Sequence, residues 1–272
     1  MSTVSDAGDR FAVVFDVDGT LADTERFGHL PAFNQTFAEF GLPVRWTEEE
    51  YGEKLRIGGG KERMASLLTP SFVAEAGLPP DPDGQAQAVA QWHKRKTEIY
   101  TAMVAAGALP ARPGISRIVE EAYAAGWVLA IASTSAEPSV RAVLDHVVGT
   151  ARARDFTVLA GDIVPRKKPS PDIYLLALER LGIPADRVVA VEDSRPGLTA
   201  ALDAGLTCVV TVNGYTEHED FSGAAFVVDS LGDPGAEPIA VLANHSPATP
   251  RAYITLADLA ATLPATERRQ QP

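Results

Sequence analysis

"FAVVFDVDGTLADTE", residues 11–25, runs apolar for five residues and then sets Asp16 and Asp18 two residues apart, next to Gly19. A near-continuous apolar, β-branched run of this length is expected of a strand covered on both faces of a parallel sheet. Similar runs follow at "WVLAIAS" (127–133), "FTVLAG" (156–161), "RVVAVED" (187–193), "TCVVTV" (207–212) and "AFVVDS" (225–230). Helical patterns lie between the later ones: "GISRIVEEAYAAG", "AEPSVRAVLDHVV", "SPDIYLLALERLG" and "RPGLTAALDAG". Strand alternating with helix predicts crossover units, hence an α/β fold with a doubly wound parallel sheet. The two aspartates do not open a calcium loop, because the sixth position is Leu21 instead of Gly and the twelfth is Phe27 instead of Glu.

About a hundred residues separate the first run from the second, too many for one crossover, and their pattern is helical. Residues 1–25 and 109–272 therefore read as the α/β core, and 26–108 as an inserted α-helical cap with "LPARPG" as its return hinge. Phe33, Phe37 and Phe40 fall at helical spacing and are expected to pack the cap core. From about residue 232 the chain is rich in Pro, Gly and Ala and is expected to be an irregular covering segment ending in a helix near "TLADLAATL".

With 272 residues, 46% of them hydrophobic, the chain can bury a large core, and its formal net charge of −12 argues against nucleic-acid or anionic-membrane partners. Cys208, the single cysteine, lies within an expected buried strand. The polar start "MSTVSDAGDR" lacks the charged and apolar regions of a signal peptide. No stretch approaches the roughly 20 apolar residues of a membrane span. A cytoplasmic monomer acting on a small molecule is the expectation.

Ligands of open parallel sheets bind beyond the carboxyl ends of the strands. Asp16 and Asp18 follow the first strand, Ser133 and Thr134 the second, Lys168 the third, and Glu192 and Asp193 the fourth. This inventory suits phosphoryl transfer. Asp16 is ionised at neutral pH and can attack phosphorus without a base. Asp18 would start protonated, give its proton to the leaving oxygen, then act as base on water. Crowded carboxylates repel a phosphate dianion unless a cation intervenes, so Mg²⁺ is expected on Asp16, the carbonyl of Asp18 and Asp193, with Glu192 reaching it through water. Ser133 and the NH of Thr134 would hold the phosphoryl group, and Lys168, or Lys167 beside it, would neutralise its charge. The same Ser and Thr are good helix caps, as are Asp193 and Ser194.

"DVDGT", the serine after the second strand, "KKPSPDIY" and "VEDSRPG" resemble the four ordered motifs of the haloacid dehalogenase superfamily. "ADTERFGH", "YGEKLRIGGGKERM", "HKRKTE" and "AGDIVPRKKPSPDIY" extend the resemblance to its CbbY-like branch, over about residues 11–232. The resemblance implies a Mg²⁺-dependent phosphatase that works through an aspartyl-phosphate and converts xylulose-1,5-bisphosphate to xylulose 5-phosphate. A sugar phosphomutase or a phosphoglycolate phosphatase would use the same motifs, and a non-enzymatic scaffold would require a broken catalytic position, of which there is none. On the cap, "GGGKER" offers free NH groups and two cations, Lys61 and Arg63, for a second phosphate, with Gly60 in the loop. Glu25 at the hinge would accept from sugar hydroxyls, and His29, Tyr51 and Arg56 are further candidates for the lining.

Overall fold

The computed structural model describes residues 10–107, 109 and 111–264. The N-terminal stretch before Arg10, the boundary residue Ala108 and Pro110 of the return hinge lie outside the described residues.

β1 (Ala12–Phe15), β2 (Val128–Ser133), β3 (Phe156–Ala160), β4 (Val188–Glu192), β5 (Thr207–Thr211) and β6 (Phe226–Val228) form a parallel sheet, completed by an antiparallel β7 (Val241–Asn244), in the order β3-β2-β1-β4-β5-β6-β7. Successive side chains leave a strand on opposite faces. Val13 and Phe15 accordingly join one apolar cluster with Ile131, Val189 and Val209, while Ala12 and Val14 join a second with Ala130, Ala190 and Cys208. Both faces are covered, which is why the runs show no polar alternation.

Residues 25–105 carry a π-helical turn (Glu25–His29) and the helices α1 (Leu30–Glu39), α2 (Glu48–Lys54), α3 (Gly60–Ala65), α4 (Pro70–Glu75) and α5 (Pro82–Ala105). Thr47 and Glu50 close a capping box on α2, and Asp81 caps α5 through the NH of Gly84. These helices enclose an apolar cluster of their own around Phe33, Phe37, Trp46, Tyr51, Met64 and Trp92. Phe40 departs from expectation: it ends α1 and is 40% exposed.

The core helices are α6 (Ile115–Ala124), α7 (Glu137–Val148), the short α8 (Thr150–Ala153), α9 (Asp172–Leu181), α10 (Arg195–Asp203) and α11 (Leu256–Thr262). The tail ends in the helix expected of it but is not irregular throughout. It contributes β7, which pairs with β6, and then α11, which buries Leu259 in the first sheet cluster. Prolines and glycines mask the strand signal there, because "VLAN" is four residues long and mostly exposed. No helix among the described residues is long and apolar enough to cross a membrane.

Candidate active site

β1 lies between β2 and β4: the chain moves outward through β2 and β3, then returns on the other side of β1. This is the topological switch point, where the loops beyond the strand ends diverge and leave a cleft. A cavity of about 860 Å³ occupies it, with Asp16, Asp18, Thr134, Lys168 and Asp193 on the core wall and Glu25, His29, Gly60 and Arg63 on the opposite, helical wall.

On the core wall the Lys168 ammonium is buried and reaches across three strand ends, donating to Asp16 Oδ1 (2.7 Å), Glu192 Oε1 (2.6 Å) and the carbonyl of Ala132 (2.8 Å). Lys167 points elsewhere, to Glu62 at 2.8 Å and Asp162 at 3.0 Å, so Lys168 is the lysine at Asp16. The hydroxyl of Tyr174 also donates to Glu192 Oε1, at 2.5 Å. Behind Glu192 stands Gly197, where a Cβ would fall 1.9 Å from Oε2; the carboxylate needs that missing side chain.

Carboxylate oxygens of Asp16, Glu192 and Asp193 approach within 4.8 Å of one another, all buried. Burial, opposed by Lys168 and reinforced by Glu192 and Asp18, pushes Asp16 up to about 8, so its expected ionisation at neutral pH depends on a bound cation. Burial and the charges of Asp16 and Glu192 hold Asp193 well above the usual carboxylate range. One ammonium does not balance three carboxylates. The unbalanced negative charge and an all-oxygen donor set fit a hard divalent cation.

Asp18 contradicts the expected starting protonation. Burial raises its pKa, but His29, Ser135 and Thr24 overcome that and hold it below the usual range. Its Oδ1 accepts from Thr24 Oγ1 (2.6 Å) and contacts His29 Nε2 (2.7 Å), while Oδ2 accepts from Ser135 Oγ. Three donors favour the carboxylate, so any proton it delivers must be supplied by a neighbour. On its far side, His29 Nδ1 lies 2.5 Å from the buried ammonium of Lys96, and its ring stacks on Tyr100 at 4.1 Å. An ammonium has no acceptor to offer. Nδ1 therefore accepts from Lys96, and Nε2 carries the hydrogen given to Asp18. Burial drives the pKa of Lys96 down from 10.5 to about 8, against the pull of Asp18 and Glu25.

On the helical wall Tyr51 donates to Glu25 Oε2, and Arg63 Nη1 donates to Tyr51 Oη (3.0 Å) and Glu25 Oε1 (3.4 Å). Glu25 is thus oriented by two donors and still lines the cavity. Tyr51 supports it from behind and is fully buried. Arg56 lines the mouth of the cavity, paired with Glu53. Lys61 turns to Asp162, across from the helices, and is not among the residues lining the cavity. Ser133 is buried below it and accepts from the NH of Ser135 (3.1 Å), while Thr134 faces the cavity. Asp193 does not cap α10; Ser194 does.

The glycines of "GGGKER" have a second use. A Cβ on Gly58 would fall 3.0 Å from the carbonyl of Lys168, and one on Gly59 (φ +97°) would fall 2.6 Å from Lys167 Nζ. The loop touches the core here, and side chains would hold the two walls apart. The sequence alone shows these glycines only as an anion cradle. Thr24, Lys96, Ser135, Tyr174 and Asn213 are missing altogether from the site that sequence reasoning gives. Asn213, which donates to Asp193 Oδ2 at 2.6 Å, lies two residues beyond the end of β5, so the strand-end rule that found the other residues could have found it. Lys96 lies mid-helix among other charges, where nothing local distinguishes it.

With this geometry in hand, the match of residues 12–205 to the model of the haloacid dehalogenase-like hydrolases is decisive. The chain belongs to the haloacid dehalogenase-like hydrolases. The protein CbbY of Cereibacter sphaeroides is 46% identical over 225 residues, covering 82% of this chain and 94% of its own. The crystal structure of CbbY from Rhodobacter sphaeroides with phosphate aligns with a TM-score of 0.75 at 41% identity, covering 92% of this chain and 99% of that one. A mutant of that CbbY crystallised with xylulose-1,5-bisphosphate aligns at 0.73 and 44% identity, covering 83% and 96%. This hydrolase is CbbY-like, an enzyme of the phosphatase kind, and its buried acidic triad is a place where a divalent metal could bind.

Proposed function

We propose that this enzyme hydrolyses xylulose-1,5-bisphosphate to xylulose 5-phosphate, with Mg²⁺, through a phosphoryl group carried by Asp16. The observation that carries the reading is the two-walled cavity: a nucleophile with its ammonium partner on one side, and a held carboxylate beside a guanidinium on the other. A sugar bisphosphate matches both walls. Its reacting phosphate meets the core, its hydroxyls meet Glu25, and Arg63 beside Glu25 is a cation for the distal end. CbbY from Rhodobacter sphaeroides, whose mutant binds xylulose-1,5-bisphosphate, supports this choice.

Asp16, the carbonyl of Asp18 and Asp193 would hold the Mg²⁺, and Glu192, whose Oε1 is engaged by Lys168 and Tyr174, would reach it through water. When bound, it supplies charge that lets a phosphate dianion approach carboxylates. Asp16 attacks phosphorus in line with the leaving sugar oxygen, and Lys168 and the NH of Thr134 stabilise the equatorial oxygens. The leaving alkoxide takes a proton from Asp18, supplied along Lys96, His29 and Asp18. Asp18 then accepts a proton from the water that attacks the phosphorus and releases Asp16.

Phosphate release measured over sugar mono- and bisphosphates, with and without Mg²⁺, tests the reading. Stoichiometric release from xylulose-1,5-bisphosphate, lost in Asp16→Asn, is the expected result. Isomerised sugar phosphate without phosphate release would identify a mutase instead.

A further inference from the structure

The chain returns from the helical segment to the core through Arg112, whose role neither the motifs nor the cavity explain. Among the described residues its guanidinium forms no ion pair and is surrounded by main-chain carbonyls. Nη1 donates to Gly19 and Thr211 (3.2 Å), and Nη2 to Val212 (2.6 Å) and Asp229. One side chain thus joins the turn after Asp18 to the ends of β5 and β6. Its own backbone is pinned as well: the NH of Arg112 donates to Leu21 (2.9 Å), and Ala111 bridges Ala22.

Two of these anchors are next to groups that touch Asp193. Gly19 (φ +85°) is packed so tightly that a Cβ there would fall 2.2 Å from Asp193 Oδ2 and 2.6 Å from Asn213 Nδ2. Asn213, which donates to that same oxygen at 2.6 Å, directly follows Val212. A drift of the Gly19 turn or of the β5 end would therefore displace Asp193. We propose that Arg112 is a positioning residue: its planar fork fixes the Asp18–Gly19 turn and Asn213 relative to Asp193, and so sets the spacing of the reaction edge where the chain re-enters the core. The inference rests on the reading of Asp18 and Asp193 given above. It requires Arg specifically, because an ammonium has three donors in a compact head and cannot reproduce a fork spanning four acceptors.

The test compares Arg112→Lys, Arg112→Met and Asn213→Ala with the wild type by three readouts: phosphate-release kinetics, Mn²⁺ affinity from the free-ion electron paramagnetic resonance signal, and Tm. At a temperature where all are folded, both Arg112 variants should lose about a hundredfold in kcat with KM within about threefold. Their Mn²⁺ affinity should fall about tenfold, as when a group orienting a metal ligand is removed. Asn213→Ala should show the same two losses at smaller size. A lower Tm with wild-type kcat and Mn²⁺ affinity would overturn the proposal and leave Arg112 a structural staple. Full rescue by Arg112→Lys would overturn it too, since charge alone would then suffice. Should the Arg112 variants fail to fold, Asn213→Ala decides: wild-type Mn²⁺ affinity there refutes the link to Asp193. Failure of the wild type to release phosphate would refute the functional reading, while the Mn²⁺ measurement would still test Arg112.

Discussion

On the core wall of the cavity the reacting groups sit at or just beyond strand ends, whereas on the helical wall they come from a hinge turn and from α2, α3 and α5, brought together across dozens of residues. Asp16, Glu192 and Asp193 are held by a sheet whose strands are buried on both faces, so their spacing is fixed before any ligand arrives. Glu25, Tyr51 and Arg63 depend on one another through hydrogen bonds, and His29 on Lys96 and Asp18. The core wall crowds like charges and needs a cation. The helical wall pairs opposite ones, and under the proposed function it meets the hydroxyls and second anion of the substrate. Phosphoryl transfer is expected to reside in the first, and selectivity and proton supply in the second.

The largest break in that division is Asp16→Asn, which should cut phosphate release on the order of ten-thousand-fold on every substrate while the fold is kept. Activity retained on any phosphate ester would remove Asp16 from the mechanism. Lys168→Met comes next. It should lower kcat by about a hundred- to a thousandfold with little change in KM, because it strips the charge facing Asp16 and leaves Glu192 with one donor fewer. A pure KM effect would move Lys168 from chemistry to binding.

Arg63→Ala probes the other wall. Losing a charged hydrogen bond of about 1.5–3 kcal/mol should raise KM for a sugar bisphosphate about ten- to a hundredfold, with a small phosphate ester nearly unaffected. Equal losses on both substrates would contradict the assignment of selectivity to this wall.

Lys96→Met tests the relay and carries a pH signature. Burial lowers the ammonium's pKa from 10.5 to about 8, so between those values the unfolded chain holds a proton that the folded one has released. Stability then rises with pH through that window, and below it the folded protein bears the whole cost, roughly 3 kcal/mol. Lys96→Met should therefore have a higher Tm than wild type at pH 7, a flatter Tm profile between pH 8 and 10.5, and about tenfold lower kcat. A destabilised variant at pH 7 would show that Lys96 stabilises the fold. The smallest effect is expected of Lys61→Ala, because Lys61 is half-exposed and engaged with an equally exposed Asp162. A bisphosphate KM shift above about threefold would restore it to the distal anion site.

The same division governs how far the sequence could be read. Asp16, Asp18, Lys168, Glu192 and Asp193 were legible because a buried strand advertises itself by composition, and the residue after it inherits a fixed place on the sheet edge. Lys96 was not, since a buried ammonium on a mostly polar helix looks like any solvated charge until its neighbours are known; His29 was legible as a lining residue, but its contact with Asp18 was not. Glu25 was visible from its closeness to the hinge, but its partners Tyr51 and Arg63 became partners only through packing. The glycines of "GGGKER" advertise their NH groups in sequence, but that their lack of side chains lets the two walls meet shows only in the packing. β7 was hidden because four exposed residues flanked by Pro and Gly carry no periodic signal; pairing with β6 creates the strand.

The sequence by itself determined the crossover sheet, the long helical insertion and which carboxylates lie at one edge, because burial on two faces imposes a pattern that local reading detects. Only the tertiary structure decided which lysine faces Asp16, how Asp18 comes to be ionised beside His29, where Lys61 points and that Arg112 ties Gly19 to the strand ends. Those outcomes depend on distances of a few ångströms between residues up to about 150 positions apart, and short-range charge and hydrogen-bond energies are set by such distances alone.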